Sequence, residues 1–416
     1  MRRASVLRLL PISAVWFFCL GGLGLFFPFY SLYLRENAGL SGTQVGAVLA
    51  VLPAVGILAQ PLWGSAADRT GARGRVLVVL ALGASIGYSS IVLGQGFASL
   101  LLLTAVLACF STPLIPTSVA VTLALTRDRG PHAFGLVRVW GTIGFFVAVA
   151  SFPALLHGYQ QRAGLVPVPG GPAEPGFELM LPLTGALVLL GGIAALAIPP
   201  GGALSLRAAA GDWRQLLRHR PYVRLLTFTL TAYFMLQGPM WFFPVYVRAH
   251  NGTLEAVSQL WVLMLIPEIP LIALSGAGLQ RLGARGLLAL GVIAGGVRWT
   301  VCGLAPGSDW IFAAQLLHGV VVTGLVIGAP LYVDAAVPER LRSTGQGVLA
   351  MAGLSLGGIS SNLATGWLLE HFGPDAPYIA GGVGALVLGI LVPLWLPPAR
   401  RPAGEVTVLP GRYDPG

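Results

Sequence analysis

The feature that most limits how this chain can fold is its series of long apolar runs. Each run has about 20 residues, enough for an α-helix to cross a hydrocarbon core about 30 Å thick. Charged residues make up only 10% of the chain, against about 25% in soluble domains, so few of them interrupt the runs. Because lipid leaves no backbone group unpaired and strand-like alternation is absent, we predict an all-α polytopic membrane protein.

Twelve such runs can be counted along the chain. They cover residues 9–34, 42–66, 75–94, 98–125, 133–157, 179–198, 221–247, 256–279, 286–304, 309–335, 344–369 and 377–397. A Pro/Gly-led, arginine-rich segment separates the sixth run from the seventh. We therefore predict twelve transmembrane helices in two six-helix bundles, residues 1–198 and 221–398, with a cytoplasmic linker at 199–220 and a cytoplasmic tail at 399–416.

The distribution of arginine predicts which side of the membrane each loop occupies, since the chain has no lysine. With a cytoplasmic N-terminus, twenty of the 25 arginines lie in cytoplasmic loops or termini. Arg35, Arg162 and Arg248 lie outside, and Arg138 and Arg298 lie within spans. This positive-inside asymmetry predicts a cytoplasmic (inner) membrane protein with both termini in the cytoplasm. It also explains the formal net charge of +10 without a nucleic-acid partner.

Two short motifs occur twice, at nearly the same separation. FPFY at residues 27–30 recurs as FPVY at 243–246, a shift of 216 from 27 to 243. The charged hairpin GSAADRTGARGR at 64–75 recurs as GAGLQRLGARG at 276–286, a shift of 212 from 64 to 276. Parallel six-helix repeats are one architecture of secondary transporters, which bind substrate between the halves near mid-membrane.

The first hairpin carries a family resemblance. Its pattern G-x-x-x-D-R-x-G-x-R resembles the loop 2–3 signature of the major facilitator superfamily, and the matching residues are Gly64, Asp68, Arg69, Gly71 and Arg73. In that family the acid contacts a helix end in the other half and closes the cytoplasmic side, so the resemblance implies a gating role. The alternative is a positive-inside anchor with a convenient turn, which suffices for the second copy, where Gln280 replaces the acid.

Five further patches are similar to the branch that holds lactose permease-like symporters and the phenylpropionate permease family. They are FPFYSLYL at 27–34, FGLVRVWGTIGF at 134–145, PEIPL at 267–271, VRW at 297–299 and LLHG at 316–319. The superfamily resemblance covers nearly the whole chain, and the branch resemblance rests on these five patches. The resemblance implies the major facilitator fold and transport by alternating access.

Three titratable or charged residues lie inside consecutive spans, where each is costly and is seldom present without a role. Glu268, Arg298 and His318 fall within roughly 10 Å of one another in depth, at the rise of an α-helix. An acid, a permanent cation and a group that titrates near neutral pH can form a pocket that exchanges a proton. In the lactose permease-like branch, residues at these places take part in substrate binding and proton coupling.

The chain departs from that branch at one relevant position. The branch's best-known sugar symporter has a second acid one turn beyond the histidine, where this chain has Val321. This departure leaves Glu268 or His318 as the proton carrier and weakens the case for a sugar. A structural alternative is a Glu268–Arg298 ion pair that only neutralises two helices, with His318 facing a hydroxyl.

Arg138 lies near the start of the fifth span, where the branch keeps a substrate-binding arginine. The branch pairs that arginine with an acid in span 4, but residues 116–125 contain none here. Because an unpaired guanidinium favours a carboxylate as a bidentate partner, we predict an organic anion as the substrate. The alternative is that Arg138 extends to the cytoplasm from a first helical turn.

Several aromatic and amide side chains are further candidates for substrate binding. They are Trp140, Tyr30, Tyr33, Trp241, Tyr246 and Asn362. Aromatic residues near span ends are as often interface anchors, and amides in spans also join helices.

These features predict a secondary active transporter, a proton-coupled symporter of a small organic solute such as an aromatic or other organic anion. The alternative is proton-driven efflux of sugars, drugs or metabolites. Two G-x-S-x-G matches, at 83–87 and 353–357, lie in apolar spans without the strand that a nucleophile elbow requires, so no enzyme and no catalytic residue is predicted. We expect no metal and no cofactor. The expected partners are the solute, protons and the bilayer, and we expect a monomer.

Overall fold

The computed structural model describes residues 9–127, 133–167, 174–198, 212–273, 275–305 and 307–398. Most of the predicted linker at 199–220 and the tail at 399–416 lie outside these ranges, as do eight of the arginines in the orientation argument. Described residues before 199 are called the first half here, and those after 211 the second half. Within these ranges every regular element is helical, which confirms the all-α prediction.

In the described part of the chain, helices occupy the places of the twelve predicted spans. The first half contains α1 (Leu10–Leu32), α2 (Gly42–Thr70), α3 (Arg73–Ser90), α4 (Phe97–Ser111 and Leu114–Thr126), α5 (Ala133–Ala163) and α6 (Met180–Ala195). The second half contains α7 (Arg220–Trp241 and Phe243–Ala249), α8 (Leu254–Ala273), α9 (Ser275–Leu304), α10 (Ser308–Gln315, His318–Val321 and Gly328–Ala336), α11 (Arg342–Ala350 and Gly358–Phe372) and α12 (Ala376–Trp395).

Among the described residues, eleven of these helices are long and apolar enough to cross a bilayer by length and composition alone. α7 is more polar than the other eleven. Its lower hydropathy follows from polar residues such as Thr227, Thr231 and Gln237 along Arg220–Trp241. It continues after Phe242 as Phe243–Ala249, so the two pieces together occupy the position of the seventh predicted span.

The two copies of the charged hairpin turn at equivalent glycines. Gly71 ends α2 with φ 63°, and Gly283 interrupts Ser275–Leu304 with φ 66°. Both positions are in the left-handed region, which glycine adopts at little cost. They are separated by 212 residues (71 to 283), the shift that the sequence repeat has. The second turn lies inside the segment assigned to α9, so α9 proper begins after Gly283.

Equivalent helices pack in the same way in both halves. In the first half α1 packs against α5 and α3 against α6; in the second half α7 packs against α11 and α9 against α12. Between the halves, α2 packs against α11 and α5 against α8. These four helices therefore border the space between the halves, which is where a repeat transporter binds its substrate.

Several hydrogen bonds and ion pairs between the halves cluster at one end of the bundle. At this end, called the closed end, Glu370 on α11 accepts hydrogen bonds from Ser41 Oγ at 2.9 Å and from the Thr43 backbone N–H at 2.8 Å. Arg248, at the end of α7, pairs with Glu36 at 3.1 Å and Glu174 at 2.8 Å in the first half. The opposite end carries the arginine-rich hairpins and is called the arginine-rich end.

The halves are apart at the arginine-rich end. A Cβ atom added at Gly64 on α2, Gly135 on α5 or Gly347 on α11 would meet no heavy atom of the described residues within 4 Å. The side chain of Asp68 is 58% exposed there. The space between the halves therefore opens toward the arginine-rich end.

Candidate functional site

The three charged and titratable residues predicted from the spans lie together in the second half. Glu268 Oε2 on α8 is 3.6 Å from His318 Nε2 on α10. His318 Nδ1 is in turn 3.0 Å from Arg298 Nη1 on α9. The two charged groups are thus bridged by the imidazole, and the structure does not form the direct Glu268–Arg298 pair considered as an alternative.

Local helix geometry places His318 against Glu268. The helix Ser308–Gln315 ends in tight i−3 hydrogen bonds of Leu316 and Leu317, and the α-helix restarts at His318. The next residue, Gly319, lies against the backbone of α8, where an added Cβ would come within 2.8 Å of Glu268 Cα. Only glycine allows α8 and α10 to approach so closely at this level.

Arg298 is buried among neutral groups, with 2% of its side chain exposed. Gln315 Oε1 accepts from Arg298 Nε at 2.9 Å and from Nη2 at 2.6 Å. The guanidinium carbon also lies 4.0 Å from the centre of the Trp299 ring, a cation–π distance. Sulfur atoms of Met240 and Met264 lie 3.4 and 3.3 Å from Nη2. The buried charge is therefore held by an amide, a ring and soft sulfur atoms.

The network fixes the protonation of His318. Arg298 has only N–H donors, so the Nδ1 atom that faces it must accept and carries no proton. The remaining Nε2 then carries the hydrogen and points at the carboxylate of Glu268. In this arrangement His318 is neutral: it accepts a hydrogen bond from Arg298 at Nδ1 and presents its Nε2–H group to Glu268.

Arg138 lies on the other side of the interface, on α5. Its guanidinium carbon is 4.6 Å from the centre of the Trp16 ring. Arg138 and Glu268 interact electrostatically across the halves, but their side chains are too far apart to form a salt bridge. The acid that interacts with Arg138 therefore comes from α8 of the other half. The sequence prediction had considered an acid in span 4 only.

The pairing of α5 with α8 explains this meeting. Nearer the closed end, Ser258 on α8 donates to the Val149 carbonyl at 2.6 Å, and the Phe145 and Trp261 rings lie 5.9 Å apart. Arg138 is seven residues before Phe145, and Glu268 is seven residues after Trp261. Two antiparallel helices in that register bring these two charges to one level, about 10 Å closer to the arginine-rich end.

Aromatic rings lie above the charged groups on the side of the closed end. Phe27 on α1 contacts Trp241 at 4.1 Å and Trp261 at 5.1 Å between ring centres. Trp261 also contacts Phe145, so rings from both halves meet. We call Phe27, Phe145, Trp241 and Trp261 the aromatic cap. The Trp261 Nε1 atom is buried and has no hydrogen-bond partner among the described residues.

Other predicted substrate-binding residues are placed away from this cluster or bonded elsewhere. Tyr30 is fully buried, and its hydroxyl pairs with Thr104 at 2.5 Å while its ring stacks on Tyr33. The Tyr246 hydroxyl donates to the Cys302 carbonyl. Trp140 is 46% exposed on α5. Among the predicted aromatic residues, Trp241 is the one that joins the aromatic cap.

Two amides on neighbouring helices have unused hydrogen-bonding capacity. Asn362 on α11 is fully buried, and neither its Nδ2 nor its Oδ1 has a partner among the described residues. Gln237 on α7 also has an unpaired Oε1. α7 and α11 are joined nearby, since the Gly238 N–H donates to Ser361 Oγ at 2.6 Å. Buried polar groups normally have partners, so these amides are the described polar groups of α7 and α11 with unused hydrogen-bonding capacity.

The predicted gating residues lie at the arginine-rich end. Asp68 pairs with Arg73 of its own hairpin at 2.7 Å, and Arg69 is exposed. Gly64 faces open space, and Gly71 forms the turn. Asp68 is thus bonded within its own half in this structure, where that end is open.

Sequence reasoning missed Gln315 and three of the four rings of the aromatic cap. Gln315 lies three residues before His318 and is fully buried, but an amide in an apolar span has no signature of its own. Phe27 and Trp261 are apolar residues in apolar spans, and only the folded chain places them over the charges. A buried amide one turn from a titratable residue is the signal that could have indicated Gln315.

The chain is similar to known transporters along nearly its full length. The model of the MFS_1 like family matches residues 9–380. The maltose permease of Geobacillus stearothermophilus is 30% identical over 395 residues, which cover 94% of each chain. The probable 3-phenylpropionic acid transporter of Escherichia coli (strain K12) is 28% identical over 326 residues, 75% of this chain and 78% of that protein.

Solved structures agree on the fold. The crystal structure of the nucleoside transporter NupG has a TM-score of 0.79 at 15% identity, covering 92% of this chain and 98% of that one. That of the D-xylose-proton symporter has a TM-score of 0.69 at 13% identity, covering 96% and 99%. At these identities the likeness concerns the fold alone. The relatives named are permeases and transporters, in agreement with the prediction of a transporter over an enzyme.

Proposed function

The chain belongs to the MFS_1 like family of the major facilitator superfamily, and on that premise we propose that it is a proton-coupled symporter of a small organic anion. The observation that carries this proposal is the packing register of α5 and α8, which brings Arg138 and Glu268 to one level on opposite sides of the interface between the halves. One guanidinium can be shared in turn by the protein's own carboxylate and by a carboxylate of the substrate.

Coupling follows from this sharing. While Glu268 is ionised it is the anionic partner of Arg138, and a substrate anion must compete with it. A proton on Glu268 removes that negative charge and leaves Arg138 available for the substrate carboxylate. A bound anion therefore favours a bound proton, and by linkage the proton favours the anion to the same degree.

His318 is the second candidate for the proton in this scheme. Its Nε2 lies 3.6 Å from Glu268 Oε2, within reach of proton exchange after a small movement. Arg298 on its other side opposes a second proton on the ring, because Nδ1 already accepts from the guanidinium. We therefore assign the transported proton to Glu268 and an orienting role to His318.

The aromatic cap supports a substrate with an apolar or aromatic body. Rings of Phe27, Trp241 and Trp261 lie on the side of the cleft away from its opening, and the charged pair lies nearer the opening. An aryl group packed on such rings gains area burial and favourable ring contacts. The relative named as a probable 3-phenylpropionic acid transporter has a substrate of this class in its name.

Orientation and gating complete the proposal. The positive-inside rule places the arginine-rich end in the cytoplasm, so the open cleft faces inward and the closed end faces outward. Gly64, Asp68, Arg69, Gly71 and Arg73 would close the cytoplasmic side in the opposite state. The Asp68–Arg73 pair of the open state would then give way to contacts with the second half.

Uptake into proteoliposomes tests the function directly. The purified protein is reconstituted, and entry of labelled 3-phenylpropionate is followed with an imposed pH gradient, acid outside. We expect uptake that a protonophore abolishes. One proton with one monoanion carries no net charge, so a potassium diffusion potential alone should not drive it. If aryl carboxylates are not taken up under any gradient, the anion proposal is wrong.

A neutral solute such as a sugar is the second candidate. The unpaired amides of Gln237 and Asn362 favour it, since they suit hydroxyl groups better than a carboxylate. The relative named maltose permease also points to a sugar. Maltose and nucleosides belong in the same uptake panel, and transport of maltose without any aryl carboxylate would favour this candidate.

Direction is tested by the sign of the gradient. A symporter moves the solute together with the proton, so the solute accumulates on the alkaline side of the membrane. Proton-driven efflux, the alternative from the sequence, exchanges the solute for a proton, so the solute accumulates on the acid side. The same proteoliposomes with the pH gradient reversed distinguish the two.

A further inference from the structure

Gln315 is the residue on which the buried arginine depends most. Its Oε1 accepts two hydrogen bonds from Arg298, at 2.9 Å from Nε and 2.6 Å from Nη2. Its Nε2 donates to the Ile311 carbonyl at 2.8 Å and lies 3.4 Å from Cys302 Sγ. Reversing the amide would bring its N–H group against guanidinium donors, so the network determines its orientation.

These two hydrogen bonds leave Nη1 as the guanidinium nitrogen that contacts His318. With Nε and Nη2 held by Gln315, Nη1 is aimed at His318 Nδ1, 3.0 Å away. That contact fixes the hydrogen of the imidazole on Nε2, facing Glu268. The amide thus acts on the carboxylate through two intermediate side chains.

The neutrality of Gln315 is part of its effect. Arg298 has no carboxylate within ion-pair distance among the described residues, and its other ionisable neighbours are His318, Cys302 and Tyr378. A buried guanidinium without an amide partner would turn toward a carboxylate, and Glu268 lies directly behind the imidazole. Glu268 is otherwise faced by His318 from α10 and by Arg138 from α5.

We infer that Gln315 is a positioning residue that holds Arg298 away from Glu268 and sets the tautomer of His318, so that Glu268 remains free for the proton. The coupling role of Glu268 rests on the proposed function; the control of the tautomer does not. Loss of the amide should let Arg298 pair with Glu268 and hold it ionised to lower pH.

The first test reads the tautomer without any substrate. Protein with ¹⁵N-labelled histidine is placed in nanodiscs, and the His318 signals are assigned by their loss in His318→Gln. We expect the neutral Nε2–H form in the wild type and its loss in Gln315→Leu. The matched control is Thr323→Val, five residues after His318, whose buried hydroxyl has no partner among the described residues and whose change should leave the signals unaltered.

The second test reads the pH profile of 3-phenylpropionate uptake. In Gln315→Leu the midpoint should move to lower pH by about one unit or more, the size of effect that a new opposite charge has on a carboxyl group. Gln315→Glu keeps an acceptor for Arg298, so it should retain the Nε2–H form of His318, while its added negative charge should move the midpoint away from the wild-type value. In an Arg298→Leu background, Gln315→Leu should have no further effect on the tautomer, since the two residues act through one contact.

The outcomes separate the two proposals. A wild type with Nε2–H at His318 but no pH-dependent uptake contradicts the proposed function and leaves the tautomer test to decide on Gln315. A wild type with another tautomer, or a Gln315→Leu variant with unchanged His318 signals, overturns the inference. Where Gln315→Leu does not fold, Gln315→Met carries the same expectations, because its thioether is a weak acceptor of similar length.

Discussion

The carboxylate of Glu370, near the end of α11, caps the first turn of α2 in the other half: its Oε2 lies 2.8 Å from the backbone nitrogen of Thr43. The same oxygen accepts from the Ser41 hydroxyl, the N-cap residue of α2, at 2.9 Å. A helix N-terminus has unpaired N–H groups and a partial positive charge, so a carboxylate is favoured there. Because Glu370 and α2 belong to different halves, this contact must break before the closed end can open.

We expect Glu370→Gln to shift the population toward the state in which this end is open. The amide keeps an acceptor but loses the charge that the helix end favours. Spin labels at exposed Gln161 on α5 and Glu255 on α8 report the separation of the halves by pulsed electron resonance. The control is Asp375→Asn, because Asp375 pairs with His250 of its own half at 3.0 Å. Equal distance distributions in Glu370→Gln and wild type would contradict the capping role.

α2 and α11 are antiparallel, so the arrangement at Glu370 has a counterpart at the other end. Asp68 lies in the last turn of α2, at the end of the bundle where α11 begins, and here it pairs with Arg73 at 2.7 Å in its own hairpin. We expect Asp68→Asn to express and fold normally but to transport slowly, because the cytoplasmic side can no longer be held shut. Gln280→Ala, at the equivalent place of the second copy, should transport normally. Wild-type uptake rates in Asp68→Asn would refute the gating role.

The orientation of the molecule gives a separate prediction. Gly64 faces open space at the arginine-rich end, and a cysteine there should react with a membrane-impermeant maleimide. Cys109 is exposed, so the experiment needs a Cys109→Ser background. We expect labelling of Gly64→Cys in everted vesicles, where the cytoplasmic face is outside, and little in intact spheroplasts. The reverse pattern would invert the proposed topology.

Much of the fold could be read from the sequence because lipid imposes simple rules. Helices of about 20 residues and the arginine asymmetry give the spans and their order. The repeated hairpin predicted a turn at equivalent places, and Gly71 and Gly283 form it. Glu268, Arg298 and His318 stood out because charged groups in lipid are expensive, and their calculated depths agree with their meeting.

The remaining contacts of the site depend on how each helix is rotated about its own axis. The depth of a residue in the membrane, which the sequence predicts, does not determine this rotation. Arg138 and Glu268 meet because α5 and α8 pack in one antiparallel register across the halves. Tyr30 was a substrate-binding candidate on composition, yet its hydroxyl is paired with Thr104 in its own half. An apolar span looks alike on all faces, so the rings that form the aromatic cap could not be separated from those that face lipid.

Arg138 gives the sharpest test of the substrate class. Removing one partner of a buried charge pair costs about 2–5 kcal/mol, so Arg138→Gln should weaken binding of 3-phenylpropionate at least about thirtyfold. Arg138→Lys keeps the charge but loses the planar fork, and we expect an intermediate affinity. Binding is measured by scintillation proximity on purified protein. Unchanged affinity in Arg138→Gln would exclude the anion model.

The pH dependence of binding tests the competition between Glu268 and the substrate. Protonation of Glu268 frees Arg138, so the anion should bind best at low pH. If one proton is linked to one anion, the apparent Kd rises tenfold for each pH unit above the midpoint of Glu268. Glu268→Gln is permanently neutral at this position, and its Kd should stay near the low-pH wild-type value at every pH.

The same variant separates coupling from translocation. Glu268→Gln should still exchange labelled for unlabelled 3-phenylpropionate across the membrane, because exchange needs no net proton movement, but it should not accumulate the anion under a pH gradient. Glu255→Gln, an exposed acid on the same helix, should behave as wild type in both assays. Accumulation driven by the gradient in Glu268→Gln would mean that the proton is carried elsewhere, and His318, the next group in the network, would then be the residue to test.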